Sequence, residues 1–308
     1  MATDPTTAFM ERAPVAAPNR AAAVYATALD YWALTKPEVN FLILITTFVA
    51  FHLASSSGAA RVLTAIHALV GTLLVASGAA TLNQFLERSF DRKMRRTARR
   101  PLAAGRLNPL DVLWFGISLS IAGVLYLAAL NVLTALLAVL TLLGYLLLYT
   151  PLKRKTPLCT LVGAFPGAVP PLIGWAAARG RIDAEAWVLY LIVFLWQFPH
   201  FMAIAWMYRG DYSRAGYRVL PTPRLRDRFL TWQSFVCSLA LVPVALLASI
   251  RGGSGVVYSV GAAVLSLALL YFSGRFAFHR SNITARQLLA FSIFYLPLLF
   301  SLLVLDKK

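Results

Sequence analysis

Nine apolar stretches of close to 20 residues recur along this chain, at about 35–54, 63–86, 110–129, 132–150, 158–178, 186–207, 229–250, 256–274 and 287–305. A bilayer core about 30 Å thick takes roughly 20 helical residues to cross. Inside lipid, only helices and closed barrels satisfy their own backbone groups. The pattern predicts an all-α fold, a polytopic membrane helical bundle with about nine transmembrane helices. Of 308 residues, 59% are hydrophobic and 13% charged. A soluble domain carries about 25% charged residues, so a soluble globular protein is excluded.

The net charge of +17 would point to nucleic acid in a soluble protein. Here it is first a topology signal, because cytoplasmic loops collect Lys and Arg. With the N-terminus inside, the opposite side keeps only Arg61, Arg179, Arg181, Arg251, Lys307 and Lys308 of the 29 basic residues. That asymmetry orients the chain and accounts for the charge with no nucleic acid. Residues 1–30, Ala- and Pro-rich at their start with acids at Asp4 and Glu11, are expected to form a disordered cytoplasmic N-terminal tail. They lack a signal peptide's basic start and apolar run, and the acids disfavour a transit peptide. Residues 31–308 are expected to form one intramembrane domain. Cys159 and Cys237 lie in apolar segments without a C-x-x-C spacing and read as small buried hydrophobes.

Two long basic connections stand out, from about Glu87 to Asn108 and from about Arg209 to Arg228. Each begins with acids at a helix end, Glu87 and Asp91 in the first and Asp211 in the second. This weak echo suggests two half-sites that face one another. Within the first, Asn83, Glu87 and Asp91 stand four apart, on one helix face and separated by roughly 6 Å of rise. Carboxylates in membrane helices are costly and mark function by default. Hard oxygen donors suit Mg²⁺, and the adjoining Arg95, Arg96 and Arg100 suit an anion such as diphosphate. The ordinary alternative is that the acids only neutralise neighbouring arginines. Asp211 either completes the metal set from across the bundle or caps a helix. Lys153, Arg154 and Lys155 lie on the same face, as topology anchors or as cations for a leaving diphosphate.

Two apolar spans carry irregular features. The fifth contains Pro166, Pro170 and Pro171 with Gly163, Gly167 and Gly174, which should break it. It is either a packing kink or the wall of a substrate chamber. In the sixth, His200 within Trp196-Gln197-Phe198-Pro199-His200-Phe201 can ligate a haem iron, bond a carboxylate or pack. His52, His67 and His279 sit at helix ends or in loops and receive no role. No phosphate loop, H-E-x-x-H zinc motif or G-x-S-x-G elbow is present.

Together these motifs resemble the intramembrane prenyltransferase superfamily, and its haem-prenylating branch in particular. The resemblance rests on Asn83-x-x-x-Glu87-x-x-x-Asp91, Met94-x-Arg96-Thr97-x-x-Arg100-Pro101-Leu102, Tyr149-Thr150-Pro151-Leu152-Lys153-Arg154, Gly167-Ala168-Val169-Pro170-Pro171, Trp196 to Phe201, and Asp211-Tyr212-x-x-Ala215-Gly216. These run in order from about residue 36 to 221. Glu87 replaces the more usual Asp of the wider superfamily, and Ala215 stands where many relatives carry a second acid after Asp211. The haem branch shares the latter pattern.

The resemblance implies Mg²⁺-dependent transfer of a farnesyl group from farnesyl diphosphate to a vinyl group of haem B, giving haem O. It implies Asn83, Glu87, Asp91 and Asp211 as metal ligands, with Lys153 beside them in the catalytic set. Arg95, Arg96, Arg100, Lys153 and Arg154 are the implied diphosphate cations, and His200 and Tyr212 the candidates for touching haem. A bacterial inner membrane, with the active-site loops on the cytoplasmic side, and a downstream haem-modifying enzyme as partner are further implications. Two rival functions are a sister prenyltransferase acting on a quinone or chlorophyll precursor, and a transporter whose charged mouth binds an anion.

Overall fold

Proline and small polar residues mark where the apolar runs begin. A computed structural model, which describes residues 20–55, 59–218, 223–252 and 255–307, starts helices at those marks. The first five are α1 (Arg20–Leu34), α2 (Pro37–Ala54), α3 (Ala59–Asp91), α4 (Pro109–Ala128) and α5 (Val132–Leu143). Ahead of α4, the Asn108 side chain accepts the Leu110 amide at 3.1 Å, and ahead of α5 Asn131 accepts the Thr134 amide at 2.9 Å. Such caps satisfy donors that a first helical turn leaves unpaired. Then come α6 (Thr150–Leu152), α7 (Cys159–Gly167), α8 (Pro170–Arg179), α9 (Ala184–Met207), α10 (Arg209–Ala215), α11 (Pro223–Gly252), α12 (Val256–His279) and α13 (Asn282–Leu305). A Ser281–Thr284 capping box opens α13.

Among the described residues, nine helical segments are long and apolar enough to cross a membrane, and there is no strand. The all-α expectation holds, with boundaries close to those read from sequence. The chief difference is the second span, which runs from Arg61 to Asp91 and so carries Glu87 and Asp91 on the helix itself. Outward faces carry large apolar side chains such as Leu125, Val132, Leu147 and Val264. Several interhelical contacts use small or hydroxylated residues: α3 crosses α4 where Gly78 meets Ser120 and the Gly116 carbonyl. The Ser238–Ser273 pair at 2.7 Å and the Ser266–Tyr295 pair at 2.9 Å are likewise buried. Small residues and interhelical hydroxyl bonds hold membrane helices together, since lipid gives apolar faces no reason to associate.

The expected tail of residues 1–30 needs correction at its end. Residues 20–34 form α1, since Ala-rich sequence favours helix even where little of it is buried. Residues 1–19 lie outside the described residues. The fifth span breaks between α7 and α8, as its prolines require. Residues 170–177 are buried throughout, and Gly174 lets α8 approach the Thr47 carbonyl of α2. That is close packing between protein helices. A second irregularity was not read from sequence: Gly144–Tyr149 is a π-helical turn joining α5 to α6. Pro151 has no N–H to continue the ladder, and before it Thr150 gives both its amide and its Oγ1, the latter at 2.8 Å, to the Tyr145 carbonyl.

Candidate active site

At the end of α3, carboxylates from two segments of the chain meet cations from three. Glu87 and Asp91 are only 4% and 3% exposed, and Asp211, from α10, is 7% exposed. A carboxylate so placed must have a partner, because an isolated buried charge costs several kcal/mol. Lys153, just past α6, donates to both Glu87 oxygens at 2.9 and 3.0 Å. Arg100, from the connection after α3, donates to Asp91 Oδ2 at 2.8 Å. Asp211 is held by Arg214 and by the Arg96 backbone amide at 3.2 Å. That last bond ties the two basic connections together, so the two echoing segments do face one another. Arg218 N closes the ring by donating to the Lys153 carbonyl at 2.9 Å. Beneath them Met94, Ala215 and Tyr217 pack with Phe90 and Tyr212.

Asn83 has its amide orientation set by its neighbours. Thr150 Oγ1 spends its proton on the Tyr145 carbonyl, so it accepts from Asn83 Nδ2 at 3.1 Å. The Asn83 Oδ1 therefore turns toward Lys36 Nζ and the Tyr145 hydroxyl, each at 3.5 Å. An amide oxygen aimed this way, beside buried carboxylates, is a hard donor set of the kind Mg²⁺ takes. Among the described residues no three His, Cys, Asp or Glu side chains stand close enough to hold a metal unaided. A metal here would draw the rest of its shell from water and substrate oxygens, as Mg²⁺ ordinarily does.

Electrostatics at the rim follow from burial. Burial opposes the charge on Lys153, but Tyr149 and Glu87 outweigh it and hold its pKa well above the ordinary lysine value. The Tyr217 phenol is pushed up by burial and by the Glu87 carboxylate it hydrogen-bonds. Lys36 is pushed down to about 7, by burial first and then by Arg100 and Lys153.

Of the cations expected to bind diphosphate, Lys153 and Arg100 sit on the acids. Arg96 contributes its backbone amide while its guanidinium lies over the Tyr208 ring, 5.2 Å from the centroid. Arg154 covers the Phe90 ring at 4.0 Å and donates to the Leu86 carbonyl at 3.0 Å, and Arg95 is exposed. Four residues were not singled out from sequence: Lys36, Tyr145, Thr150 and Tyr217. Thr150 lies inside the quoted T-P-L-K-R run and Tyr217 directly follows the D-Y-x-x-A-G run. Lys36 carried only the signal of a topology charge, and Tyr145 none.

His200 lies seven residues before the end of α9, about 10 Å inward along the helix. Its ring stacks on Trp196 with centroids 5.0 Å apart, and its Nδ1 meets Ser292 Oγ at 3.0 Å. Ser292 Oγ donates to the Leu289 carbonyl at 2.7 Å, so it accepts from His200. That assigns the proton to Nδ1 and leaves a lone pair on Nε2. Tyr212 packs between the apolar core and the cluster under the acids.

The model of the UbiA prenyltransferase family matches residues 43–296. A protoheme IX farnesyltransferase from Solibacter usitatus is 46% identical, over 90% of this chain and 98% of its own. The protein of that name from Myxococcus xanthus is 40% identical over 94% and 98%. Among solved structures, a UbiA homologue from Aeropyrum pernix superposes with a TM-score of 0.71 at 20% identity, over 88% of this chain and 98% of that one. One from Archaeoglobus fulgidus, bound to GPP and Mg²⁺, gives 0.58 at 14% identity, over 89% and 99%. These likenesses establish a shared fold.

Proposed function

The chain belongs to the UbiA prenyltransferase family, and on that premise we propose that it transfers the farnesyl group of farnesyl diphosphate to a vinyl group of haem B, making haem O. The observation that carries the donor half is the ring of buried carboxylates, each already holding a cation of its own. The acceptor half rests on the relatives named protoheme IX farnesyltransferase, which match 90% or more of the chain. The lone pair on His200 Nε2 supports it, as a group able to meet haem iron.

Asn83, Glu87, Asp91 and Asp211 would hold Mg²⁺, which when bound supplies Lewis-acid stabilisation of the leaving diphosphate. With those acids engaged by a metal, Lys153 and Arg100 would be free to face phosphate oxygens. Arg95, Arg96 and Arg154 add positive charge at the rim, and a preorganised field of this kind is worth more where water is excluded. The C1–O bond of the farnesyl group breaks, diphosphate leaves, and the vinyl carbon attacks the allylic carbon. Water then captures the cation formed beside the porphyrin ring and loses a proton, which leaves a hydroxyl. Helix-lined apolar surroundings keep water from the farnesyl cation until the vinyl has reacted. His200, held by Ser292 and Trp196, and Tyr212 would orient the haem.

The chain is a multi-pass membrane protein. Its Lys and Arg asymmetry supports a charged mouth that faces the cytoplasm; the proposed setting is a bacterial inner membrane, with the product passing to a haem-modifying enzyme. The test is incubation of detergent-purified protein with haem B, farnesyl diphosphate and Mg²⁺, read by mass spectrometry. Haem carrying an added hydroxyfarnesyl unit is expected. No haem product, with prenylation of an aromatic acid offered in its place, would move the protein to the quinone-type branch.

A further inference from the structure

Lys36 has no acid of its own, and unlike Arg95, Arg96 and Arg154, which are exposed or lie over aromatic rings, it reaches the buried Asn83. Lys153, Arg100 and Arg214 each ion-pair with a carboxylate. Among the described residues Lys36 forms no salt bridge, and its one side-chain contact is Asn83 Oδ1 at a long 3.5 Å. Arg100 and Lys153 are near enough to repel it, and Glu87 and Asp91, near enough to attract it, already have partners. A topology anchor would extend its ammonium outward to lipid headgroups. This one points inward, to a buried asparagine.

The backbone supports the same reading. Lys36 sits at φ 53°, ψ 65°, one of two non-glycine residues with positive φ among those described. That region is unfavourable for a side-chain-bearing residue and persists only where its surroundings impose it. Here they do. Asn40 Nδ2 donates to the Thr35 carbonyl and to Ser77 Oγ, both at 2.9 Å, fastening the α1–α2 turn to α3. Pro37 follows and starts α2. A side chain that only balanced charge would not need a strained, clamped turn to aim it.

We propose that Lys36 is a substrate-binding residue, whose ammonium contacts the diphosphate of the prenyl donor beside the oxygen of Asn83. The inference rests on the reading of the mouth as a prenyl diphosphate site. Lys36 reaches the buried Asn83 with no carboxylate of its own, whereas Lys153 and Arg100 are already paired with their acids. An arriving diphosphate favours the charged form of the Lys36 amine, so this residue can answer the substrate before the ion pairs rearrange.

The test is binding rather than turnover, by titration calorimetry of the detergent-purified full chain with Mg²⁺ and without haem. The ligands are farnesyl diphosphate and inorganic pyrophosphate, and the variants are Lys36→Met, Lys36→Gln and Lys36→Arg. Loss of one charged hydrogen bond predicts roughly a 10- to 100-fold weaker Kd for both ligands in the Met and Gln variants. The Arg variant should stay within a few-fold of wild type. Equal losses for the two ligands would tie the effect to the diphosphate, and thermal unfolding monitors the fold. Wild-type affinity in Lys36→Met or Lys36→Gln overturns the proposal and leaves the donor assignment standing. A wild-type chain that binds neither ligand overturns both.

Discussion

The two ends of the bundle use the same cationic residue types against different partners. At the end opposite the acids, cations bond mainly to backbone. Arg179 Nε donates to the Ala54 carbonyl at 2.8 Å, and Lys307 Nζ donates to the His52 and Ser55 carbonyls at 2.7 and 3.1 Å. These groups close the C-terminus of α2, where unpaired carbonyls and the helix dipole favour positive charge. Asp183 serves the same end: bonds from the Trp175 indole, then Arg181 and Arg179, hold its pKa below the usual carboxylate value. At the acid-bearing end, cations sit on side-chain carboxylates, three residues away in the Arg214–Asp211 case and across 66 residues in the Lys153–Glu87 case. A carbonyl at a helix end has no use for a metal, but a carboxylate does. Under the proposed function the far end is a fastening and the mouth a set of charges that would exchange with a metal and substrate.

Four substitutions probe that contrast. The largest effect is expected from Asp91→Asn, which keeps the shape of the side chain and removes its charge. Haem product should fall on the order of a hundredfold or more in the folded fraction, beyond any stability lost by leaving Arg100 without its carboxylate. Product at wild-type rate would mean the mouth acids are as structural as the far end. Next is Lys153→Met. It leaves Glu87 buried without its partner and should destabilise the fold by about 3–5 kcal/mol, measurable by thermal unfolding. Adding Glu87→Gln to that variant should return much of the lost stability.

Thr150→Val should act more gently. It removes the acceptor that orients Asn83, so the Mg²⁺ concentration giving half-maximal turnover should rise roughly 10- to 100-fold. An unchanged Mg²⁺ requirement would show that Asn83 needs no such orientation. Smallest is Arg179→Met at the far end, which should cost about 1 kcal/mol of stability and leave turnover within twofold. A large loss of turnover there would erase the distinction between the two ends.

Much of this was legible in the chain. The spans were readable because a bilayer imposes one length and one composition, and the acids because a charge inside such a span is costly. The period of four placed Asn83, Glu87 and Asp91 together, and α3 indeed carries all three. What was not legible depends on contacts distant in sequence or on backbone shape. Lys36 reads as an ordinary flanking cation, and only its left-handed turn sends it inward. Thr150 is one hydroxyl in an apolar stretch until the π-helical turn brings it to Asn83. The helix over residues 20–34 hid within a segment whose start reads as a tail, because helical propensity carries no signal of burial.

The central claim is that the buried acids of the mouth hold a divalent metal against diphosphate oxygens. The most direct measurement is Mn²⁺ binding, followed by electron paramagnetic resonance in the presence of inorganic pyrophosphate. Wild type and Arg179→Met should take up the ion equally. Glu87→Gln and Asp91→Asn should bind it at least tenfold more weakly while remaining folded. Equal Mn²⁺ uptake by all four proteins would contradict the account and return Glu87 and Asp91 to the role of counter-charges for Lys153 and Arg100.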